Sequence, residues 1–146
     1  MRDVADALWK GAELVFGGRE PEGKAYQKGF FYLPTVLCEA DHSMRIMREE
    51  TFGPVAPIMR FKTLDEAIRL ANDTDYGLAA YIFTNSLKTA VLAAERLEAG
   101  GVGVNVNSVV DMQAPFGGWK ESGIGRELGH VGLEAYLETK HIRLGL

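Results

Sequence analysis

The stretch Leu78–Val106, LAAYIFTNSLKTAVLAAERLEAGGVGVNV, decides the fold that the sequence predicts. Residues 78–83 form an unbroken apolar run of strand length, which is typical of a strand buried on both faces. Residues 87–99 follow as a helix, and residues 102–106 as a second short, buried strand. Because strands separated by helices of this length pack side by side, the stretch predicts an α/β fold with a largely parallel sheet and flanking helices.

The helix within this stretch carries a signal at each end. Ser86 is placed to cap its first turn, and Gly100 is a suitable residue just past its last turn. Its apolar side chains recur at helical spacing on one face; they are Leu87, Ala90, Val91, Ala94 and Leu97.

The chain before this stretch reads as alternating short elements. Thr63 and Glu66 form a capping-box pattern, in which the hydroxyl accepts from the Glu66 amide and the Glu66 carboxylate accepts from the amide at the cap. Prolines 34 and 57 limit the hydrogen bonding of the strands that hold them. The predicted elements are a helix over 3–10 that stops at Gly11, strands over 13–16, 30–37 and 55–61, a loop over 19–29, a helix over 43–49 capped by Ser43, a helix over 63–71 and a turn over 72–77.

Glycine is concentrated late in the chain. Seventeen of the 146 residues are glycine and ten of these lie at or after position 100, whereas about 7% is usual. Residues 107–132 hold six of them, and a long segment with so little regular structure is usually functional or disordered. The aromatic side chains of Phe116 and Trp119 argue against disorder. A helical turn over 133–137 and a strand over 139–144 complete the prediction.

Composition excludes several classes of function. Sixteen basic and twenty acidic residues give a net charge of −4 without a basic block, which argues against nucleic acid or an anionic membrane as partner. No run of 18 apolar residues predicts a transmembrane helix. One cysteine and three scattered histidines predict neither a disulfide nor a metal site. Acidic residues interrupt the N-terminal segment, so no signal peptide is expected and a cytoplasmic location is predicted.

Two further patterns each allow a structural interpretation and a functional one. The lone thiol of Cys38 ends an apolar strand, and no local feature activates it, so a small buried apolar residue is favoured over the nucleophile of a thiol hydrolase. Residues 123–129, GIGRELG, miss the dinucleotide fingerprint because the third glycine is one place late and no strand precedes them. These glycines are instead predicted to allow tight turns and close backbone approach.

Residues 49–55, EETFGPV, place a carboxylate and an aromatic ring two positions apart before a strand. In extended chain Glu50 and Phe52 therefore face the same side. An acceptor for sugar hydroxyls beside an apolar ring suits the ribose and base of a nucleotide. The commoner alternative is a solvated glutamate and a core phenylalanine.

Three segments together resemble motifs of the aldehyde dehydrogenase superfamily. Residues 49–55 resemble its E-E-x-F-G-P-V motif, and residues 72–78, NDTDYGL, resemble its A-N-x-T-x-Y-G-L-A segment. Residues 115–127, PFGGWKESGIGRE, are similar to its P-F-G-G-x-K-x-S-G-x-G-R-E signature. The motifs occur in the family's order, and the resemblance covers essentially the whole chain as a C-terminal part of the catalytic domain.

The resemblance implies roles for individual residues. Glu50 matches the carboxylate that hydrogen-bonds the nicotinamide ribose, and Phe52 the aromatic residue beside the nicotinamide ring. Val110 and Phe116 fall in the loop that lines the aldehyde entrance, and Glu127 matches a glutamate of a proton relay in some members. Residues 139–146 match a strand that joins a neighbouring subunit's sheet, which divides the chain into 1–138 and an oligomerisation strand 139–146 and implies a homo-oligomer.

The resemblance also implies what the chain lacks. The family oxidises an aldehyde to a carboxylic acid with NAD or NADP, through attack by a cysteine thiolate. Its nucleophilic cysteine, oxyanion-hole asparagine and general-base glutamate, and most of its dinucleotide-binding domain, lie upstream of the matched segment. Cys38 lies downstream of the nucleophile's place and does not inherit its role.

Two hypotheses of different classes follow. The first is a C-terminal fragment of an NAD(P)-dependent aldehyde dehydrogenase that is inactive and binds the cofactor weakly by itself. The second is a standalone or split-gene α/β association module without catalysis, favoured by a methionine that opens a helix at position 1. The residues leave open which aldehyde is used, and whether the cofactor is NAD or NADP.

Overall fold

The computed structural model describes residues 2–145, and the chain forms two compact units, Met1–Leu70 and Ala71–Leu146. The helices are α1 (Arg2–Trp9), α2 (Leu64–Asn72), α3 (Leu87–Arg96) and α4 (Gly129–Glu134), with short 3₁₀ turns at Lys24–Tyr26 and Arg45–Met47. The strands are β1 (Glu13–Phe16), β2 (Thr35–Cys38), β3 (Val55–Pro57), β4 (Tyr76–Gly77), β5 (Ala79–Ile82), β6 (Gly101–Val104) and β7 (Trp119–Lys120).

The first unit is built on a three-stranded sheet with β2 in the centre. β1 pairs with β2 antiparallel, with an irregularity between Leu14 and Phe16, and β3 pairs with β2 in parallel. The hydrophobic core of this unit combines Val4 and Ala7 of α1 with Leu37 of β2 and Met44, all of them at most 3% exposed. Alternation along β2 buries Thr35 and Leu37, because every second residue of a strand points to the same face.

A polar frame joins α1 to the 3₁₀ turn at 45–47. The Asp6 carboxylate accepts from the Arg45 amide at 2.9 Å and from the Lys10 ammonium at 3.0 Å. The same ammonium donates to the Ser43 carbonyl at 2.6 Å. The hydrogen bond from the Arg45 amide, followed by that from Lys10, lowers the pKa of the Asp6 carboxyl below its ordinary value of 3.8.

The second unit contains two small sheets. β5 and β6 pair in parallel across α3, from Ala79 opposite Gly101 to Ile82 opposite Val104. β4 and β7 pair antiparallel, with Tyr76 opposite Lys120. The α/β class and the parallel strand–helix–strand unit are therefore confirmed, while the other strands are divided between a mixed sheet and an antiparallel pair.

Helix boundaries agree with the predicted caps at three places and differ at two. The Ser86 hydroxyl accepts from the Thr89 amide, and the Thr63 hydroxyl from the Glu66 amide, both at 3.2 Å. The Glu66 carboxylate, however, accepts from the Lys62 amide and not from that of Thr63. Gly11 follows α1 with a φ of +105°, as expected for a helix stop.

The helix predicted to reach residue 99 ends at Arg96. The Asn72 side chain is the reason, because its amide donates to the Arg96 carbonyl and its oxygen accepts from the Glu98 amide, at 2.8 and 2.9 Å. The Arg96 carbonyl and the Glu98 amide would otherwise bond within a longer helix, and here both bond Asn72. The backbone of Leu97 is already extended. A partner distant in sequence thus sets the last turn.

The helix predicted over 43–49 with Ser43 as its cap is wrong. The Asp41 carboxylate accepts from the Ser43 amide at 2.7 Å, and only a 3₁₀ turn over Arg45–Met47 forms. Asp6 takes the Arg45 amide from outside the segment. The segment therefore satisfies its backbone through two aspartates and does not need a helix.

Four strands are shorter than predicted, and one of them, β5 (Ala79–Ile82, predicted over 78–83), is also more exposed. β2 begins at Thr35, β3 ends at Pro57 and β6 ends at Val104. The run 78–83 is not buried on both faces, since Tyr81 is 46% and Phe83 71% exposed. Within the described residues, β5 has β6 as its one paired strand, which leaves its other edge uncovered.

We expect Asp6→Asn to lower stability most at neutral pH. The folded state binds a proton at Asp6 less readily than the unfolded state, so the charged carboxylate stabilises the fold above the ordinary pKa and this contribution is lost as the pH falls through the folded value. The midpoint of urea unfolding should fall near neutral pH, and variant and parent should converge in acid. Glu20→Gln, which removes one negative charge from an exposed loop, is the control. A loss that is independent of pH would contradict this assignment.

Candidate functional site

The glycine-rich segment folds into a hairpin over residues 116–127, which we call the 116–127 hairpin. Its two ends are joined by a reciprocal pair of backbone hydrogen bonds: the Phe116 amide donates to the Glu127 carbonyl at 2.8 Å, and the Glu127 amide to the Phe116 carbonyl at 2.7 Å. Phe116 and Glu127, to which the family resemblance assigns different roles, are therefore directly opposite each other.

Glycines allow the hairpin to fold this tightly. A Cβ at Gly117 would lie 2.6 Å from the Gly125 carbonyl oxygen, and one at Gly118 would lie 2.6 Å from the Ser122 Cβ. Gly125 has a φ of +82°, in the left-handed region that favours glycine. The prediction that the late glycines serve turns and close backbone approach is confirmed at these positions.

The Arg126 guanidinium closes the interior of the hairpin. Its Nη1 donates to the Gly118 carbonyl at 3.1 Å and to the Gly125 carbonyl at 2.6 Å. The charged guanidinium thus supplies a donor to two carbonyls of the tight turns. A hydrogen bond from a charged donor is stronger than one from a neutral donor.

The hairpin is attached to the turn that follows α2. β7 pairs with β4, the Glu121 amide donates to the Asp75 carbonyl at 2.9 Å, and the Ser122 hydroxyl accepts from the Gly77 amide at 2.9 Å. Two of the three segments that carry the family resemblance, 72–78 and 115–127, are thus one connected piece of structure.

The Lys120 side chain strengthens this attachment. Its ammonium donates to the Asn72 carbonyl at 2.6 Å and to the Thr74 carbonyl at 3.0 Å, and it lies 2.7 Å from the Glu98 carboxylate. Lys120 has a φ of +52°, a left-handed conformation that costs a side-chain-bearing residue about 1–2 kcal/mol. Such strain persists where surrounding contacts compensate for it.

An open cleft of about 360 Å³ lies beside the hairpin. Phe116 and Glu127 line it together with Leu78, Ser122, Arg126 and Ala135 and the glycines between them. Ile124, at the tip of the hairpin, is fully exposed at its rim. The cleft therefore combines apolar side chains with one acidic and one basic residue.

Val110 precedes the hairpin in a loop of the same unit. Its side chain is 58% exposed, and its amide donates to the Ser108 hydroxyl at 3.2 Å. The following turn is held against α4, because the Gly129 amide donates to the Met112 carbonyl at 3.1 Å. Val110 is not among the residues that line the cleft.

The 49–55 segment lies in the first unit, directly before β3. Arg45 Nη2 donates to the Glu49 carboxylate at 2.6 Å, and this hydrogen bond lowers the pKa of the Glu49 carboxyl below its ordinary value of 4.5. Glu49 is therefore held by a cation from the preceding 3₁₀ turn. Of the two adjacent glutamates, Glu50 is exposed and has no hydrogen bond or ion pair with another residue between positions 2 and 145.

Phe52 and Thr51 are unusual for their residue types. The Phe52 side chain is 95% exposed, so the alternative of a core phenylalanine is wrong. The Thr51 hydroxyl is buried without a hydrogen-bond partner. Three neighbouring groups are therefore available to bind a partner. They are the exposed ring of Phe52, the carboxylate of Glu50 and the unsatisfied hydroxyl of Thr51.

The predicted site residues fall into two groups. Glu50 and Phe52 belong to the first unit, while Val110, Phe116 and Glu127 belong to the second. Lys120, Ser122 and Asn72 hold the second group in place and were not singled out from sequence. The available signal was their presence inside two motif segments, where polar residues among glycines need backbone partners.

The other sequence-based expectations have mixed outcomes. Cys38 is partly exposed in β2, so it is not the fully buried residue expected. Among residues 2–145, no three histidine, cysteine, aspartate or glutamate side chains are placed to share a metal ion. The tail 139–145 forms no strand within the chain, and its last predicted residue, Leu146, lies outside the described residues. No described helix is long and apolar enough to cross a membrane.

We expect Ser122→Ala to lower the free energy of unfolding by about 1–3 kcal/mol, because the buried Gly77 amide loses its acceptor. Chemical denaturation measures the loss. Ser108→Ala is the matched control, since Ser108 accepts from the Val110 amide in an exposed turn where water replaces the hydroxyl. Equal effects of the two substitutions would show that the Gly77–Ser122 bond does not hold the hairpin.

Comparison with known proteins agrees with the motifs. The model of the aldehyde dehydrogenase family matches residues 1–142. The chain is 50% identical to the mitochondrial succinate-semialdehyde dehydrogenase of Arabidopsis thaliana over 143 residues, which are 97% of this chain and 26% of that protein. It is 51% identical to an aldehyde dehydrogenase of Enchytraeus buchholzi over 133 residues, 91% of this chain and 26% of the relative.

Solved structures give the same result. A betaine aldehyde dehydrogenase of Staphylococcus aureus in complex with NAD+ superposes with a TM-score of 0.88 at 46% identity, over 94% of this chain and 27% of that one. A lactaldehyde dehydrogenase of Escherichia coli superposes with a TM-score of 0.87 at 44% identity, over 95% and 28% of the two chains. The chain thus spans about a quarter of the length of these relatives, and it belongs to the aldehyde dehydrogenase family.

Proposed function

We propose that this chain supplies the C-terminal part of the catalytic domain of an NAD(P)-dependent aldehyde dehydrogenase. The observation that carries the proposal is the state of the 49–55 segment, where Glu50 and Phe52 are open to solvent beside a Glu49 carboxylate that is ion-paired with Arg45. The family membership and the NAD+ complex of the Staphylococcus aureus relative support the choice of cofactor.

The open residues fit a dinucleotide. The Glu50 carboxylate is a hydrogen-bond acceptor for the paired hydroxyls of the nicotinamide ribose, and the Phe52 ring offers an apolar face to the nicotinamide. When bound, the dinucleotide accepts the hydride removed from the aldehyde. Arg45 keeps Glu49 occupied, so that Glu50 is the carboxylate of the pair that orients the ribose.

The 116–127 hairpin belongs to the substrate side in this proposal. Phe116 provides an apolar wall for the aldehyde, and Val110 lies exposed on the same substrate-side loop. Glu127, opposite Phe116, places an exposed carboxylate on the cleft, where it can hold and release a proton. The one cysteine of the chain, Cys38, lies in a strand of the first unit, and in this proposal the nucleophile for the carbonyl comes from another part of the enzyme.

The tail 139–146 is proposed to pair with a neighbouring subunit. Its described residues are exposed and form no ladder within the chain, which leaves their backbone groups available. The predicted cytoplasmic location stays a prediction, and the Arabidopsis thaliana relative is a mitochondrial protein.

A non-catalytic association module is the second candidate. Large apolar side chains remain open in the first unit, among them Val15 at 61% and Phe16 at 60% exposed on β1. Such side chains favour association with another polypeptide. In the fragment hypothesis the rest of an aldehyde dehydrogenase covers them, so the two candidates differ in whether that assembly has catalytic activity.

We expect the purified chain to form no NAD(P)H from aldehydes, whereas a chimera should be active. In the chimera, this chain replaces the matching segment of the Staphylococcus aureus betaine aldehyde dehydrogenase, which retains its own remaining segments. Absorbance of the reduced cofactor measures activity. The unmodified relative is the positive control. A folded chimera without activity would contradict the proposed function and favour the association module.

In the same chimera, we expect Glu50→Gln to raise the KM for NAD by about tenfold or more, because a hydrogen bond to a charged acceptor is worth about 1.5–3 kcal/mol. Glu39→Gln is the matched control, since Glu39 is paired with Arg60 at 2.9 Å on the exposed surface. Equal KM values for both variants would remove Glu50 from the cofactor site.

A further inference from the structure

We propose that Lys120 is the positioning residue of the substrate side, and that it fixes the 116–127 hairpin from outside the cleft. This inference rests on the proposed function for the meaning of the hairpin. The contacts that carry it belong to the second unit alone. Lys120 is absent from the lining of the cleft and acts through the residues beside it.

The Lys120 ammonium is saturated by three acceptors from two segments, residues 72–74 and Glu98. An ammonium has three N–H donors. Its acceptors are the Asn72 carbonyl at the end of α2, the Thr74 carbonyl in the turn and the Glu98 carboxylate after α3, at 2.6, 3.0 and 2.7 Å. The side chain is only 25% exposed, so water has limited access to replace these partners.

The same two segments are already tied to each other. The Asn72 side chain bonds the Arg96 carbonyl and the Glu98 amide, so the carbonyl and the carboxylate that Lys120 binds are held in a defined relation. Lys120 therefore binds a preformed site. Its left-handed φ of +52° shows that the backbone of the hairpin conforms to that site, because a residue with a side chain does not adopt this conformation by preference.

The position of Lys120 determines that of the cleft wall. The residues that follow it, Glu121 and Ser122, each bond the turn at Asp75 and Gly77. On the other side of Lys120, the Gly117 carbonyl packs so closely on Gly100 that a Cβ there would clash with it. Release of Lys120 would let its backbone relax toward an ordinary φ, and this change in β7 would shift Phe116. Glu127 would move with Phe116, because backbone hydrogen bonds pair the two residues.

Amide hydrogen exchange on the whole chain tests this without reference to catalysis. In Lys120→Met we expect the amides of Phe116, Glu121 and Glu127 to lose protection by about tenfold or more, with the β5–β6 pair changing by less than about twofold. Lys88→Met, on the exposed start of α3, removes the same charge and is the matched control. A uniform loss over all amides would show a merely global effect and overturn the proposal.

Two further variants separate the ammonium from the backbone strain. Lys120→Gly removes the strain together with the contacts, and we expect it to lose protection at the same amides; retained protection would overturn the proposal. Lys120→Cys in a Cys38→Ala background, alkylated with 2-bromoethylamine, forms a C–S bond with loss of bromide and restores an ammonium of nearly the original reach. Protection of the same amides should return after alkylation. If it does not return, the proposal that the ammonium fixes the hairpin is overturned.

The chimera with the Staphylococcus aureus relative then tests the link to substrate. We expect Lys120→Met to raise the KM for aldehyde by about tenfold while the KM for NAD changes by less than about threefold, because the cleft wall moves and the cofactor residues do not. An unchanged aldehyde KM would overturn the substrate-side role. An inactive parent chimera would contradict the proposed function, and the exchange experiment would still decide the role of Lys120 in the hairpin.

Discussion

The contact between the Lys120 ammonium and its three acceptors is the interaction on which, in our proposal, the placement of the 116–127 hairpin depends. It joins the turn at the end of α2 to the chain after α3. A two-stranded pair as short as β4–β7 buries little surface, so hydrogen bonding to a charged donor supplies what packing does not. The glycine-rich hairpin takes its shape from this anchored stem.

In the first unit, charged side chains pair one of two adjacent glutamates and leave the other open. Asp6 and Arg45 organise the 3₁₀ turn, and the Arg45 guanidinium then occupies Glu49. Glu50 and Phe52 are left open, although burial of the ring or pairing of the carboxylate would stabilise an isolated unit. Natural proteins leave an apolar ring unburied or a carboxylate unpaired mainly at functional sites. The exposure of Glu50 and Phe52 therefore fits residues that bind a partner.

Local signals predicted elements well where the deciding groups lie within one turn. Ser86 and Thr63 cap their helices because hydroxyl and amide are three residues apart. Local signals failed where a distant group competes. Asn72 ends α3 from a position before β4, and Asp6 of α1 takes the amide that a helix at 43–49 would have used. Propensity contains no information about such partners, since they are neighbours only in the folded chain.

By itself the sequence determined the α/β class, the parallel strand–helix–strand unit and the family, because hydrophobic periodicity and three ordered motifs are local patterns. It also indicated Phe116 and Glu127 as site residues, but not that they lie opposite each other. Only the tertiary structure decided that pairing, the exposure of Phe52 and the contacts of Lys120. These features depend on hydrogen bonds and burial between segments up to 48 residues apart, and such contacts exist only once the chain has folded.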